Sequence, residues 1–385
     1  MYKVIQKVFG PGFILGWVYI LCALAVVSVG IALKNTLVIP EASLDLELRH
    51  SAAVHLLHQQ NPYTVILPTT HAPANESYAP SVICMILPLA LVSFPTAKIL
   101  WMLLNLCATG LILGLFFWQY HTDKTNPSGF KNLFFIASAL FLSSTPWRVA
   151  MANGQFTLIA LSATLLAIVL SDKNKAILAG IALSIAMIKY PLTGLIPLVF
   201  LFKKRWLSVG IMIAIHGILT VASGYWLSEN PVRLIWQSVA GNHGNIHLGI
   251  ADLGVFLGKF PLAYAFAACL LIAAFIRHIS HQRTASMMAL CSVTFLMTLL
   301  LSYHRIYDFS VLIIPLMLTL HRPTWSLVHW LWVLFISLVF FGERIALLVP
   351  TTYVALQWVL VSMGLLIFAL EYLSLRKQAS PPSIS

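Results

Sequence analysis

The chain reads as an all-α, polytopic membrane protein, and three observations predict that class. Hydrophobic residues fill 60% of 385 positions and charged residues only 9%, with a mean hydropathy of +0.90; no soluble domain hides so large an apolar share in one core. The apolar side chains are gathered into runs separated by short polar connections. The formal net charge is +12, yet the basic residues lie in those connections, where they set orientation, and form no patch interleaved with aromatics of the kind a nucleic acid requires.

The first run, FILGWVYILCALAVVSVGIAL, is too long for the apolar part of a signal peptide and no convincing small-residue cleavage site follows. It predicts an uncleaved span, with Lys3 and Lys7 in the cytoplasm. With it, near 12–33, come segments near 96–119, 131–145, 155–170, 176–188, 191–202, 206–227, 260–277, 285–302, 309–320, 326–342 and 353–373, about 12 crossings in one membrane domain spanning 1–385. Both ends then lie inside, with a short cytoplasmic tail at 374–385 and a first extracytoplasmic loop at 34–95. Under this count HTDKTNPSGFK, SDKNK, LFKKRW, RHISHQR, HRP and LRK share the cytoplasmic face with the N-terminal lysines, and together hold 14 of the 23 Lys and Arg. A full crossing at YAPSVICMILPLALVSF, Tyr78 to Phe94, would turn every later basic loop outward, so that stretch predicts a helix lying at or dipping into the outer interface.

The pair 176–188 and 191–202 has cytoplasmic flanks on both sides and about a dozen residues in each half, roughly 18 Å of helix against a hydrocarbon core of about 30 Å. Neither half is long enough to span. The IKYP turn between them, broken at Pro191, must line a cavity or pack on protein. Lys189 is then either inside a wet cavity open to the outer side or a snorkelling lysine that reaches the headgroups.

The outer side collects the unusual polar chemistry: Glu41 to His58 with NPY after it, TPWRVAMANGQ, Lys189, GNHGNIHLGIAD (Gly241 to Asp252), SYHRIYD and GERI. Charge beside apolar spans is costly unless paired or functional, so several of these groups should converge. Acid is concentrated at the start: three of the 11 acidic residues, Glu41, Asp45 and Glu47, fall within seven positions. Carboxylate, histidine, Arg, Lys and amide side chains together suit an anionic substrate that also carries hydroxyls.

An early Asp in the first outer loop, then HSAAVHLLHQQNPY, YAP...LPL, NGQ, KYP ahead of KKRW, and SYHRIYD followed by LIIPL, in that order between Leu44 and Pro315, resembles glycosyltransferase family 87 of the GT-C superfamily. The resemblance implies a GT-C fold and an inverting enzyme that uses a polyprenyl-phosphate sugar without a resident cofactor. It also implies a single carboxylate in the first outer loop as base, matched here by Asp45. Lys189 and Arg305, with Arg148 behind them, are the candidates for the donor phosphate. His304 matches the family's late histidine and either orients acceptor or base, or is a helix-end histidine bonded to a carbonyl. Asp308 is expected to pair with Arg305. Asn153 and Gln155 offer amides to sugar hydroxyls, although NGQ is equally suited to a plain turn. Glu47, Tyr63 of NPY, Tyr78 of YAP and His243 complete the candidate substrate-binding residues, and Trp236 and His243 suit stacking on a sugar or headgroup.

Two readings of SLDLEL stand side by side: Asp45 as the base, or a carboxylate favouring the start of an interfacial helix. Asp45 and Glu47 make a D-x-E that chelates a divalent cation only if extended, since on a helix they point about 200° apart; no metal is expected. The five cysteines lie in apolar runs without ligand spacing and read as packing. The competing class is a transporter or flippase of a lipid-linked saccharide, against which stands the lack of an internal repeat. The expected partners are a polyprenyl-phosphate sugar, a glycolipid, glycan or protein acceptor and membrane lipid, in a bacterial inner membrane.

Overall fold

The computed structural model describes residues 2–39, 43–66, 73–74, 77–121, 130–240, 252–257, 260–282, 285–302, 304–321, 326–348 and 351–379. These are overwhelmingly helical, as the apolar runs predict. The helices are α1 (Tyr2–Val38), α2 (Leu44–Leu57), α3 (Pro80–Ala90), α4 (Phe94–His121), α5 (Phe130–Ser143), α6 (Thr145–Ala152), α7 (Thr157–Asp172), α8 (Ala176–Ala186), α9 (Tyr190–Thr193), α10 (Ile196–Phe202), α11 (Trp206–Leu227) and α12 (Pro231–Ala240). They continue with α13 (Gly254–Leu257), α14 (Pro261–His281), α15 (Met287–Leu301), α16 (Ile313–His321), α17 (Leu327–Leu348) and α18 (Thr351–Ala379). Two 3-10 turns, Met187–Lys189 and Ile306–Leu312, interrupt the pattern, and a two-residue antiparallel ladder pairs Val65 with Ala74 and Ile66 with Pro73.

Every apolar segment singled out above contains a helix, but they are not equal in length. Among the described residues six helices are long and apolar enough to cross a membrane, seven if α5 and α6 form one span bent by 52°. The protein is therefore a multi-pass membrane protein. The bend has a local cause. The Ser144 hydroxyl caps α6 by accepting from the Trp147 N–H at 3.3 Å, and Pro146 occupies the first turn, where a missing N–H costs nothing.

The pair around Lys189 departs from expectation. Its first half does not stop at 188: α8, the 3-10 turn and α9 make one broken candidate span, Ala176–Thr193, and α10 is a seven-residue helix after it. Pro191 sits at the start of α9, so it opens a helix as well as closing one. The Thr193 hydroxyl serves the carbonyls freed at the break, lying 2.9 Å from Ala186 O and 3.1 Å from Lys189 O, while Ser302 Oγ lies 3.3 Å from Pro191 O. An unsatisfied carbonyl in an apolar interior is expensive, so this repair is what permits the break.

α3 is 11 residues long, about 16 Å, too short to cross. It packs on α2 and on the C-terminal half of α11, with Ser81 Oγ 2.8 Å from His216 Nδ1 and Cys84 Sγ 3.0 Å from Ser223 Oγ. His216 lies midway along α11, so the start of α3 reaches to the middle of that helix. The main apolar core gathers around α7, α15 and α16, and a smaller one holds α2 and α3 against Trp101, Phe156 and Ile188.

Candidate active site

The smaller core brings the turn after α6 onto the start of α2. Ser43 Oγ donates to Ala152 O at 3.2 Å, and the Trp101 indole donates to Gly154 O at 2.9 Å. Gly154 has φ +65, and a Cβ there would stand 2.6 Å from Leu46 Cβ. Only glycine allows both this left-handed backbone and this approach. Seated in this way, the turn delivers Gln155 to the first turn of α2.

Gln155 is 2% exposed, and its amide bridges two charges. Its Nε2 donates to Asp45 Oδ2, and its Oε1 accepts from Lys189 Nζ at 2.7 Å. Chemistry alone orients the amide: an ammonium only donates and a carboxylate only accepts, so the oxygen must face Lys189 and the nitrogen Asp45. Lys189, 4% exposed, pairs with Asp308 Oδ1 at 2.9 Å and lies 4.5 Å above the centre of the Tyr307 ring. Asp308 Oδ1 also accepts from the Thr157 hydroxyl at 2.9 Å; Oδ2 meets His304 Nδ1 at 3.2 Å and the Arg305 backbone N–H at 3.4 Å. The other nitrogen of His304 faces Thr298 O at 3.0 Å and Ser302 Oγ at 2.9 Å. One continuous line, Asp45 to Gln155 to Lys189 to Asp308 to His304, thus joins four of the polar stretches that the sequence placed on one side.

Several expectations change here. Lys189 neither snorkels nor faces a wet cavity; it is buried in an ion pair, because an ammonium this deep needs a carboxylate. Asp308 takes Lys189 and His304 as side-chain partners where the sequence suggested Arg305, which contributes a backbone N–H. Tyr63 spends its hydroxyl on Tyr78 O at 3.2 Å, and Tyr78 packs edge-on against Phe156 and Tyr190, its ring 4.4 Å from the Arg49 guanidinium carbon. Both tyrosines are buried and build a wall behind the site. Asn153 closes α6 as its C-cap and is half-buried, as a turn residue would be.

Glu47 is buried two positions beyond Asp45 on the same helix, about 200° around it, so the pair does not present both carboxylates to one ion. Ser43, not Asp45, is the N-cap of α2, and the Asp45 side chain reaches Gln155 instead of the α2 backbone. Among the described residues no group of three or more His, Cys, Asp or Glu is placed to hold a metal. Arg305 is exposed at the start of the 3-10 turn, Arg148 is half-buried on α6, and α6 packs against that turn. His243 and Glu41 lie outside the described residues, and Trp236 is exposed on α12. Arg49, Thr157 and Tyr307 were not singled out in the sequence. Arg49 alone carried a signal, a lone cation four residues from Asp45 and therefore on its helix face.

The sequence model of glycosyltransferase family 87 matches residues 77–302. No curated protein and no solved structure matches the chain. The match takes in Arg148, Gln155 and Lys189, while Asp45, His304 and Asp308 lie outside it and are tied to it by the hydrogen bonds above. It covers more than half of the chain, which belongs to glycosyltransferase family 87.

Proposed function

We propose that this glycosyltransferase moves one sugar, of mannose or arabinofuranose type, from a polyprenyl phosphate to an acceptor hydroxyl, inverting the anomeric centre, with Asp45 as base. The observation that carries the reading is the amide bridge: Gln155 holds one oxygen of a half-buried Asp45 carboxylate and is itself held by the buried Lys189. A base must be fixed within reach of the proton it takes, and the amide donor on Oδ2 fixes the carboxylate while Oδ1 serves the acceptor. Asp45 removes the hydroxyl proton as that oxygen bonds to C1 from the face opposite the phosphate. The bond from C1 to the phosphate oxygen breaks, and the polyprenyl phosphate departs with the electron pair.

Arg305 and Arg148, on two elements in contact, suit the charge that grows on the phosphate, so neither a metal nor a resident cofactor is required in this reading. Lys189 lends its charge to the network, not to the donor. In this reading the fold is a GT-C arrangement of about 12 crossings in a bacterial inner membrane, with the site on the extracytoplasmic side, where polyprenyl-phosphate sugars meet glycolipid, glycan or protein acceptors.

The test is transfer of radiolabelled sugar from a panel of synthetic polyprenyl-phosphate sugars by the purified protein in nanodiscs, with and without EDTA. Transfer that survives EDTA and falls about 10²- to 10⁴-fold in Asp45→Asn is expected. Donor binding without turnover for any acceptor, unchanged by the substitution, would assign the chain to lipid-sugar transport.

A further inference from the structure

Asp252 stands just ahead of α13 and is 1% exposed. Its segment is fastened to the end of α15, where the Leu253 N–H donates to Leu300 O at 2.8 Å. Asp252 Oδ1 accepts from the Gly254 N–H at 2.7 Å, but among the described residues Oδ2 has no hydrogen-bond partner. Burial pushes this carboxyl up to about 6, against the pull of the Gly254, Asp252 and Val255 backbone groups and of His304.

The two side chains that interact with it electrostatically have no proton to offer. Tyr264 gives its hydroxyl hydrogen to Leu301 O. His304 faces Asp308 with one nitrogen, and Thr298 O and Ser302 Oγ with the other. A buried carboxylate oxygen without a donor is a standing cost, which a fold retains where something from outside completes it.

We infer that Oδ2 of Asp252, beside His304, accepts a hydrogen bond from a ring hydroxyl of the transferred or the accepting sugar. This inference rests on the glycosyl transfer proposed above. A carboxylate repels phosphate and only accepts hydrogen bonds, so of the groups on a lipid-phosphate sugar it selects a hydroxyl. It also separates the site by charge: the Asp252 carboxylate at the sugar, and the arginines at the phosphate.

The experiment compares wild type with Asp252→Asn, full-length in nanodiscs, using the parent donor and acceptor and each of their monodeoxy analogues. Asparagine keeps the Oδ1 acceptor for Gly254; Asp252→Ser, whose hydroxyl also caps such a turn, replaces it if the first variant does not fold. One deoxy analogue is expected to lose about 10- to 100-fold in kcat/KM with wild type, and the variant to lose as much with the parent sugar yet ignore that deletion. A variant that discriminates against every deoxy analogue as wild type does overturns the assignment while leaving glycosyl transfer intact. Absence of transfer by wild type with any sugar overturns the transferase reading itself.

Discussion

Gly154 lies so close to Leu46 that the helix bearing Asp45 and the turn bearing Gln155 are in backbone-range contact, with room at Gly154 for a hydrogen and no more. Gly154→Ala would set a Cβ 2.6 Å from Leu46 Cβ on a backbone with φ +65. It should cost about 1–3 kcal/mol and push α2 off the turn, parting Asp45 from Gln155. A lowered thermal midpoint together with a loss of kcat larger than the loss of folded protein is expected. Unchanged kcat would show that the contact does not position the base.

Lys189 and Asp308 are both buried, so removing one should be worse than removing both. Lys189→Met leaves an uncompensated carboxylate and should destabilise by about 3–5 kcal/mol. Adding Asp308→Asn, which still accepts from Thr157 and faces His304, should restore part of that stability. Additive losses in the double-mutant cycle would contradict the pairing.

Arg305 is the exposed cation of the cluster, and its contribution should appear with the donor. Arg305→Ala is expected to raise the donor KM about tenfold, beyond any loss of folded protein, and Arg305→Lys to recover part of it as a point charge. An equal change in acceptor KM would place the arginine elsewhere.

Asp252 makes a stability prediction with a definite sign. Its folded value, about 6, lies above the unfolded carboxyl value of about 3.9, so the folded state holds the proton more tightly. The contribution is favourable below about pH 4, is lost as pH rises to about 6, and is flat beyond. Thermal midpoints of wild type should therefore fall across that window relative to Asp252→Asn; parallel curves would show that the carboxyl is not perturbed.

Much of this architecture could be read from local pattern. Apolar runs located the helices because burial in lipid is decided residue by residue, and the punctuation at the NGQ turn and at Pro191 marked breaks where a missing Cβ or a missing N–H matters. The acidic stretch at Asp45 and the NGQ, KYP and HRIYD motifs identified which segments carry polar chemistry, since charge beside apolar spans is too costly to be idle.

What those groups do to one another was not legible, because helical periodicity says which face a residue occupies but not which distant segment meets that face. Gln155 reaches Asp45 across 110 residues and Thr157 reaches Asp308 across 151. Asp308, with Arg305 three residues away in sequence, pairs with Lys189 because packing buries those two together and leaves Arg305 exposed. In an interior with no water to share, each ammonium takes the carboxylate that the helix contacts bring within about 3 Å, and that choice belongs to the assembled fold.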